Sequence, residues 1–248
     1  MALRAFGDGK IFGQIAGDAP ARVLALHGWG RRSADFGPAL EGLSYVAVDL
    51  PGFGASPPPT APVGAAGYAV ALAPVLEVVG HPAVLLGHSF GGRVALHMAA
   101  AMPDRWSALV LSGVPLLRRA VAARPPLPFR MARWAARHGL VSDPTMERFR
   151  RRYGSADYRA ARGVMRQVLV IAVNESYEEQ LTKIKCPVRM IWGADDSEVP
   201  VSVAERAARL LAGGGVDVSV TVLAGAGHLL PLTHPDGLRR VVVEMLGR

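Results

Sequence analysis

Seven short apolar runs punctuate the chain, at 10–15, 22–26, 45–49, 83–86, 108–111, 188–192 and 217–223. Stretches with helical spacing lie between most of them, at 36–43, 65–79, 91–102, 201–211 and 235–246. Runs that are apolar throughout, rather than alternating, are the pattern of strands buried on both faces. Their alternation with helical patterns predicts an α/β fold, with a mostly parallel central sheet flanked by helices. Pro103 marks the end of the helix over 91–102.

The alternation breaks after Gly113. Only helices and turns are legible up to Thr182. Arg130, Arg133 and Arg137 share one helical face, with Met131, Trp134 and Ala135 on another; Arg148, Arg151 and Arg152 repeat the arrangement. A third helix is expected over 160–173, with Val164, Val168 and Ile171 apolar. The expected organisation is a core of 1–113 and 183–248, with 114–182 inserted as a helical lid. Such a lid would lie over the carboxyl ends of the strands, where open α/β folds bind ligands.

The 248 residues, half of them hydrophobic, suit one α/β domain with an insertion. No run of 18 apolar residues exists, so no membrane span is expected, and residues 1–10 show no apolar leader. Cys186 is the single cysteine, which excludes an internal disulfide and fits a cytoplasmic location. Net charge is +8, and its distribution is uneven. Twelve arginines and three acids (Asp143, Glu147, Asp157) lie between Val114 and Met165, a net +9, whereas the rest of the chain sums to −1. A solvated surface biased towards Arg by composition is the plain reading. No aromatic-interleaved basic groove or nucleic-acid motif accompanies it, so nucleic acid is not an expected partner.

The sharpest chemical signal is Gly87-His88-Ser89-Phe90-Gly91, between an apolar run and a helical pattern. Strand, tight turn with serine, then helix is the arrangement that presents a serine hydroxyl as a nucleophile. The flanking glycines give the turn room. A serine needs a base, and the base needs an orienting acid. Two later loops, each following a strand, supply both in the order this architecture requires: Asp195-Asp196-Ser197-Glu198 and Gly225-Ala226-Gly227-His228. His81, His97 and His138 show no metal-ligand spacing, and no dinucleotide fingerprint is present; no metal or cofactor is expected.

With these pieces, together with Leu26-His27-Gly28-Trp29-Gly30 and Asp49-Leu50-Pro51-Gly52-Phe53-Gly54, nearly the whole chain resembles the α/β-hydrolase family. The resemblance implies a catalytic trio of Ser89, Asp196 and His228. It favours Asp196 over Asp195 because the family's acid lies three residues after a glycine and four before a proline, here Gly193 and Pro200. It places the oxyanion-hole donors at the N–H groups of Trp29 and Phe90. Trp29, Trp134 and Leu229 are the candidate substrate contacts. His27, Asp49 and Ser56 are expected to hold turns, and His88 to point away from the reaction. The implied activity is hydrolysis of an ester or related carbonyl compound. Lactone or carbon–carbon hydrolysis, acyl transfer, and a ligand receptor with little turnover stay open. His27-Gly28-Trp29-Gly30 and His234-Pro235 are also similar to carboxylesterases that demethylate a pimeloyl-carrier-protein ester. That similarity implies an acidic carrier docked by Arg130, Arg133, Arg137, Arg148, Arg151 and Arg152.

Overall fold

A computed structural model describes residues 2–117, 126–153 and 155–247; Arg118, Arg119 and Arg124 of the basic segment lie outside them. Eight strands form one sheet: β1 (Ala2–Phe6), β2 (Ile11–Ala16), β3 (Ala21–Leu26), β4 (Tyr45–Asp49), β5 (Val79–His88), β6 (Trp106–Ser112), β7 (Val188–Gly193) and β8 (Val218–Leu223). The spatial order is β1-β2-β4-β3-β5-β6-β7-β8. The β1–β2 and β2–β4 pairs are antiparallel, and every pair from β4 to β8 is parallel.

Central strands bury both faces, as their continuous apolar runs require. Leu24, Leu26, Val46, Val48, Leu85, Leu109 and Leu111 face one apolar layer. Val23, Ala25, Ala47, Val84, Leu86 and Val110 face the other. The helices of the core are α1 (Gly37–Leu40), α2 (Ala65–Ala71), α3 (Phe90–Ala101), α9 (Val201–Gly213), α10 (Leu230–Thr233) and α11 (Pro235–Leu246). Between β6 and β7 run α4 (Leu127–Arg137), α5 (Asp143–Tyr153), α6 (Ala156–Ala160), α7 (Gly163–Asn174) and α8 (Glu178–Leu181), with no strand among the described residues there.

Three expectations change. The helix over 65–79 ends at Ala71 and becomes a 3-10 turn, Ala73–Val78, because Pro74 has no N–H to continue the ladder. The helix over 36–43 is a 3-10 turn, Ser33–Phe36, followed by the single turn α1, and Gly42 closes it at φ +73°. Strand β1 was not anticipated from the apolar runs. It is an edge strand whose Leu3 is exposed, so it carries little apolar signal. Gly7-Asp8-Gly9, all at positive φ, makes the hairpin turn to β2 and was the available clue.

Candidate active site

Ser89 sits between β5 and α3 at φ +49° and ψ −114°, a conformation that L-residues rarely adopt. The sequence around it permits this. A Cβ on Gly87 would lie 2.5 Å from Gly92 Cα, and one on Gly91 would strike the Leu26 carbonyl oxygen. Glycine is required at both positions by close packing. The Ser89 N–H donates to the Ser112 carbonyl at 2.8 Å, which pins the turn to the end of β6.

Asp196 follows β7, and His228 follows β8. Their loops meet at Gly193, where a Cβ would strike the Ala226 carbonyl oxygen. His228 Nε2 lies 3.0 Å from Ser89 Oγ, and its Nδ1 lies 2.8 Å from Asp196 Oδ2. The other Asp196 oxygen accepts the N–H groups of Glu198 at 2.9 Å and Val199 at 2.8 Å. These contacts fix the proton positions. The carboxylate needs a donor at Nδ1, so Nε2 is left to accept the Ser89 hydroxyl proton. Burial pushes Asp196 upward, but hydrogen bonds from His228, Val199 and Glu198 outweigh it, and its pKa is lowered. Burial opposes charge on His228; Asp196, then Glu198 and Asp157, outweigh that and raise its pKa above 6.5.

Asp195 is exposed, and its side chain takes no part in these contacts. Its N–H donates to the Ala226 carbonyl and so helps join the two loops.

His27 and His88 are buried and serve the frame. The Leu50 N–H donates to His27 Nε2 at 2.9 Å, so Nδ1 carries the proton and donates to the Gly28 carbonyl at 2.7 Å. His88 Nδ1 donates to the Ser112 carbonyl at 3.0 Å. Asp49 accepts the N–H groups of Ser33 and Ala55, while the Ser56 hydroxyl donates to the Asp49 carbonyl and accepts from the Phe12 N–H.

Gly28 packs against the elbow, where a Cβ would sit 3.2 Å from Ser89 Cβ. Trp29 follows it, edge-on to Phe53 at 4.9 Å and to Phe90 at 5.4 Å. Among the described residues, the N–H groups of Trp29 and Phe90 find no intramolecular acceptor. Leu229 lines a cavity with His27, Gly28 and His88 whose volume is about 10 Å³, room for roughly one water. Trp134 is gathered elsewhere. It is 60% exposed, packs against His138 with the rings tilted at 53° and their centroids 4.6 Å apart, and lines a separate groove of about 690 Å³ between α4 and α5.

Three neighbours of the site escaped the sequence reading. Gly113, at φ +57°, leaves space for the His228 ring, since a Cβ there would sit 3.1 Å from it. Glu198 Oε2 lies 3.6 Å from His228 Nε2. Asp157, from α6, is close enough to act on His228 electrostatically. Only Gly113 carried a signal, as a glycine directly after a strand.

An open sheet with a serine elbow after its fifth strand, and later loops converging on it, defines a class of α/β enzyme. Residues 23–241 match the alpha/beta hydrolase family, and the chain belongs to that family. It is similar to the lipase LipV of Mycobacterium tuberculosis, with 46% identity over 96 residues, 37% of this chain and 36% of that protein. A pimeloyl-[acyl-carrier protein] methyl ester esterase of Xylella fastidiosa is 36% identical over 110 residues, 43% of this chain and 41% of that protein. The match thus spans well under half the length of either relative. The crystal structure of the esterase RhEst1 from Rhodococcus sp. ECU1013 shares the fold at a TM-score of 0.69, with 24% identity over 100% of this chain and 99% of that one. No helix among the described residues is long and apolar enough to cross a membrane.

Proposed function

We propose that this hydrolase cleaves carboxylic esters through an acyl-enzyme formed on Ser89. The observation that carries the reading is the continuous contact from Ser89 Oγ through the two His228 nitrogens to Asp196, at 3.0 and 2.8 Å. His228 Nε2 takes the hydroxyl proton as Ser89 Oγ attacks the carbonyl carbon. Asp196 holds the ring in the required tautomer and stabilises the imidazolium. The Trp29 and Phe90 N–H groups receive the oxyanion, helped by the positive end of α3. His228 returns its proton to the departing alcohol. Water, activated by the same nitrogen, then releases the acid and restores Ser89. Esterase and lipase relatives support the ester class. The single thiol, Cys186, is buried and fits a cytoplasmic setting.

A fluorophosphonate probe should label the wild type and leave Ser89→Ala unlabelled. Turnover of p-nitrophenyl acetate should fall by roughly 10⁴- to 10⁶-fold in that variant. Absence of both labelling and ester cleavage in the folded wild type refutes the reading.

A finer reading extends this to an ester carried by an acidic protein, docked on the Arg faces of α4 and α5. The esterase relative of that name and the charge pattern support it. Arg130, Arg133, Arg137 and Arg148 are exposed and have no acidic partner among the described residues, whereas Arg151 pairs with Glu147 and Arg152 lies over Tyr153.

A further inference from the structure

We propose that Glu198 is a positioning and specificity-determining residue: a second carboxylate facing the reactive nitrogen of His228, which sets the site against esters that carry a negative charge. The proposal rests on the ester-hydrolase reading above.

Glu198 has two attachments to the site. Its N–H donates to Asp196 Oδ1 at 2.9 Å, and its carboxylate reaches to 3.6 Å from His228 Nε2. That nitrogen is the one that faces Ser89 Oγ at 3.0 Å. Asp196 satisfies the opposite nitrogen, so the ring stands between two carboxylates. Asp157 on α6 adds a third negative charge to its surroundings. The fourth titratable neighbour, His88, has its ring centroid 5.1 Å from that of His228 and is neutral, because burial holds it down to about 3.

The chemistry follows from where the proton is. At rest Nε2 has a lone pair and no proton to offer Glu198. Once it takes the Ser89 proton, the nearby carboxylate favours the imidazolium, so the interaction strengthens as the reaction proceeds. The same charge repels a substrate carboxylate brought to this rim. The oxyanion is common to every ester and cancels when two esters are compared. The Glu198 side chain is 65% exposed, so solvent and salt weaken its field, and the expected effect is a few-fold.

The test compares 4-acetoxybenzoate with its methyl ester, a pair that shares the acetyl group and differs by one negative charge. Glu198→Gln keeps the N–H to Asp196 and removes the charge. It should raise the anionic-to-neutral ratio of kcat/KM by about 3-fold at low ionic strength, and 1 M NaCl should erase most of that gain. Asp157→Asn should move the ratio in the same direction by less. The acid limb of kcat/KM should shift to lower pH in Glu198→Gln, a change that mere loss of packing would not produce. An unchanged ratio in a folded Glu198→Gln overturns the proposal, whether or not the limb moves. Wild-type protein that hydrolyses neither ester overturns it too, and an unlabelled Ser89 in that protein places the failure with the hydrolase reading.

Discussion

Histidine protonation divides the site into a frame and a reacting part. Burial holds His27 down to about 4 and His88 down to about 3, from an ordinary 6.5, and each ring donates from Nδ1 to a carbonyl. Both are neutral in the fold at neutral pH. In the unfolded chain they take protons below about 6.5, so each withdraws stability as pH falls from there towards its folded value. One pKa unit corresponds to about 1.4 kcal/mol, so His88 alone removes roughly 2–3 kcal/mol by pH 4.5. His228 runs the other way. Its raised pKa gives stability that is fully present below 6.5 and is lost as pH rises through the folded value. In the proposed mechanism turnover needs its neutral form, so the acid limb of activity should lie above 6.5. His88→Asn separates the two effects, because the Asn amide can still donate to the Ser112 carbonyl but cannot become charged. Urea unfolding should show a variant about 1 kcal/mol weaker at pH 7.5 and a shallower loss of stability between pH 6.5 and 4.5. An unchanged slope would assign the acid sensitivity to other groups.

At the level of elements, one acid organises the helices between β6 and β7. Glu147 on α5 accepts from the Tyr158 hydroxyl on α6 at 2.9 Å, from Arg166 on α7 at 2.8 Å and from Arg151 at 3.3 Å. Burial pushes its pKa up, but these donors outweigh it and lower the value. Its contribution is therefore present above about 4.5 and fades as pH falls through the folded value. A second knot ties this region to the core. The Tyr177 hydroxyl donates to Glu175 at 2.6 Å, and Glu175 in turn accepts the Ala65 N–H that opens α2. Glu147→Gln should loosen the first knot only. The carboxylate is partly exposed, so about 1 kcal/mol is at stake. Hydrogen exchange should quicken about 5-fold across α5, α6 and α7, with β5 and β6 unchanged. Equal acceleration in the sheet would mean that Glu147 supports the whole fold. The pairing between helices was not legible in the sequence, because Glu147 and Arg166 are 19 residues apart with nothing to single out their partnership. The central strands were legible, since two-faced burial writes a continuous apolar run. The elbow was legible because Gly87 and Gly91 are forced by backbone contact. Ser89, Asp196 and His228 could be nominated from loop chemistry, but their distances needed the fold. Glu198 and Asp157 stayed hidden because an acid beside a histidine 30 or more residues away leaves no local pattern.

Across the whole molecule, the excess positive charge is concentrated in one segment, with +9 over 114–165 and −1 over the rest of the chain. At the candidate site Asp196 and Glu198 face the two ring nitrogens of His228, and Asp157 on α6 adds a more distant negative charge. Arginines collect on the outer helices, where α4 carries Arg130, Arg133 and Arg137 beside a stripe of exposed Leu127, Met131 and Trp134. A neutral ester fits such a site, and an acidic protein fits such an exterior. A carrier that presents a neutral acyl ester meets both conditions at once. Steering by exposed charge acts mainly on association and weakens with salt. Reversing Arg130, Arg133 and Arg137 to Glu changes the charge of that face by six units without touching Ser89. Affinity for an acidic acyl carrier protein should then fall by at least 10-fold at low ionic strength, the difference should shrink at high salt, and kcat/KM for p-nitrophenyl acetate should stay within about 2-fold of wild type. The Trp134 stripe supplies a second arm. Trp134→Ser should weaken carrier binding with little dependence on salt, because it removes apolar contact rather than charge. Equal loss of carrier binding and small-ester turnover in the triple variant would mean that α4 supports the site instead of receiving a partner. Unchanged carrier binding in both variants would leave the arginines as a solvated surface.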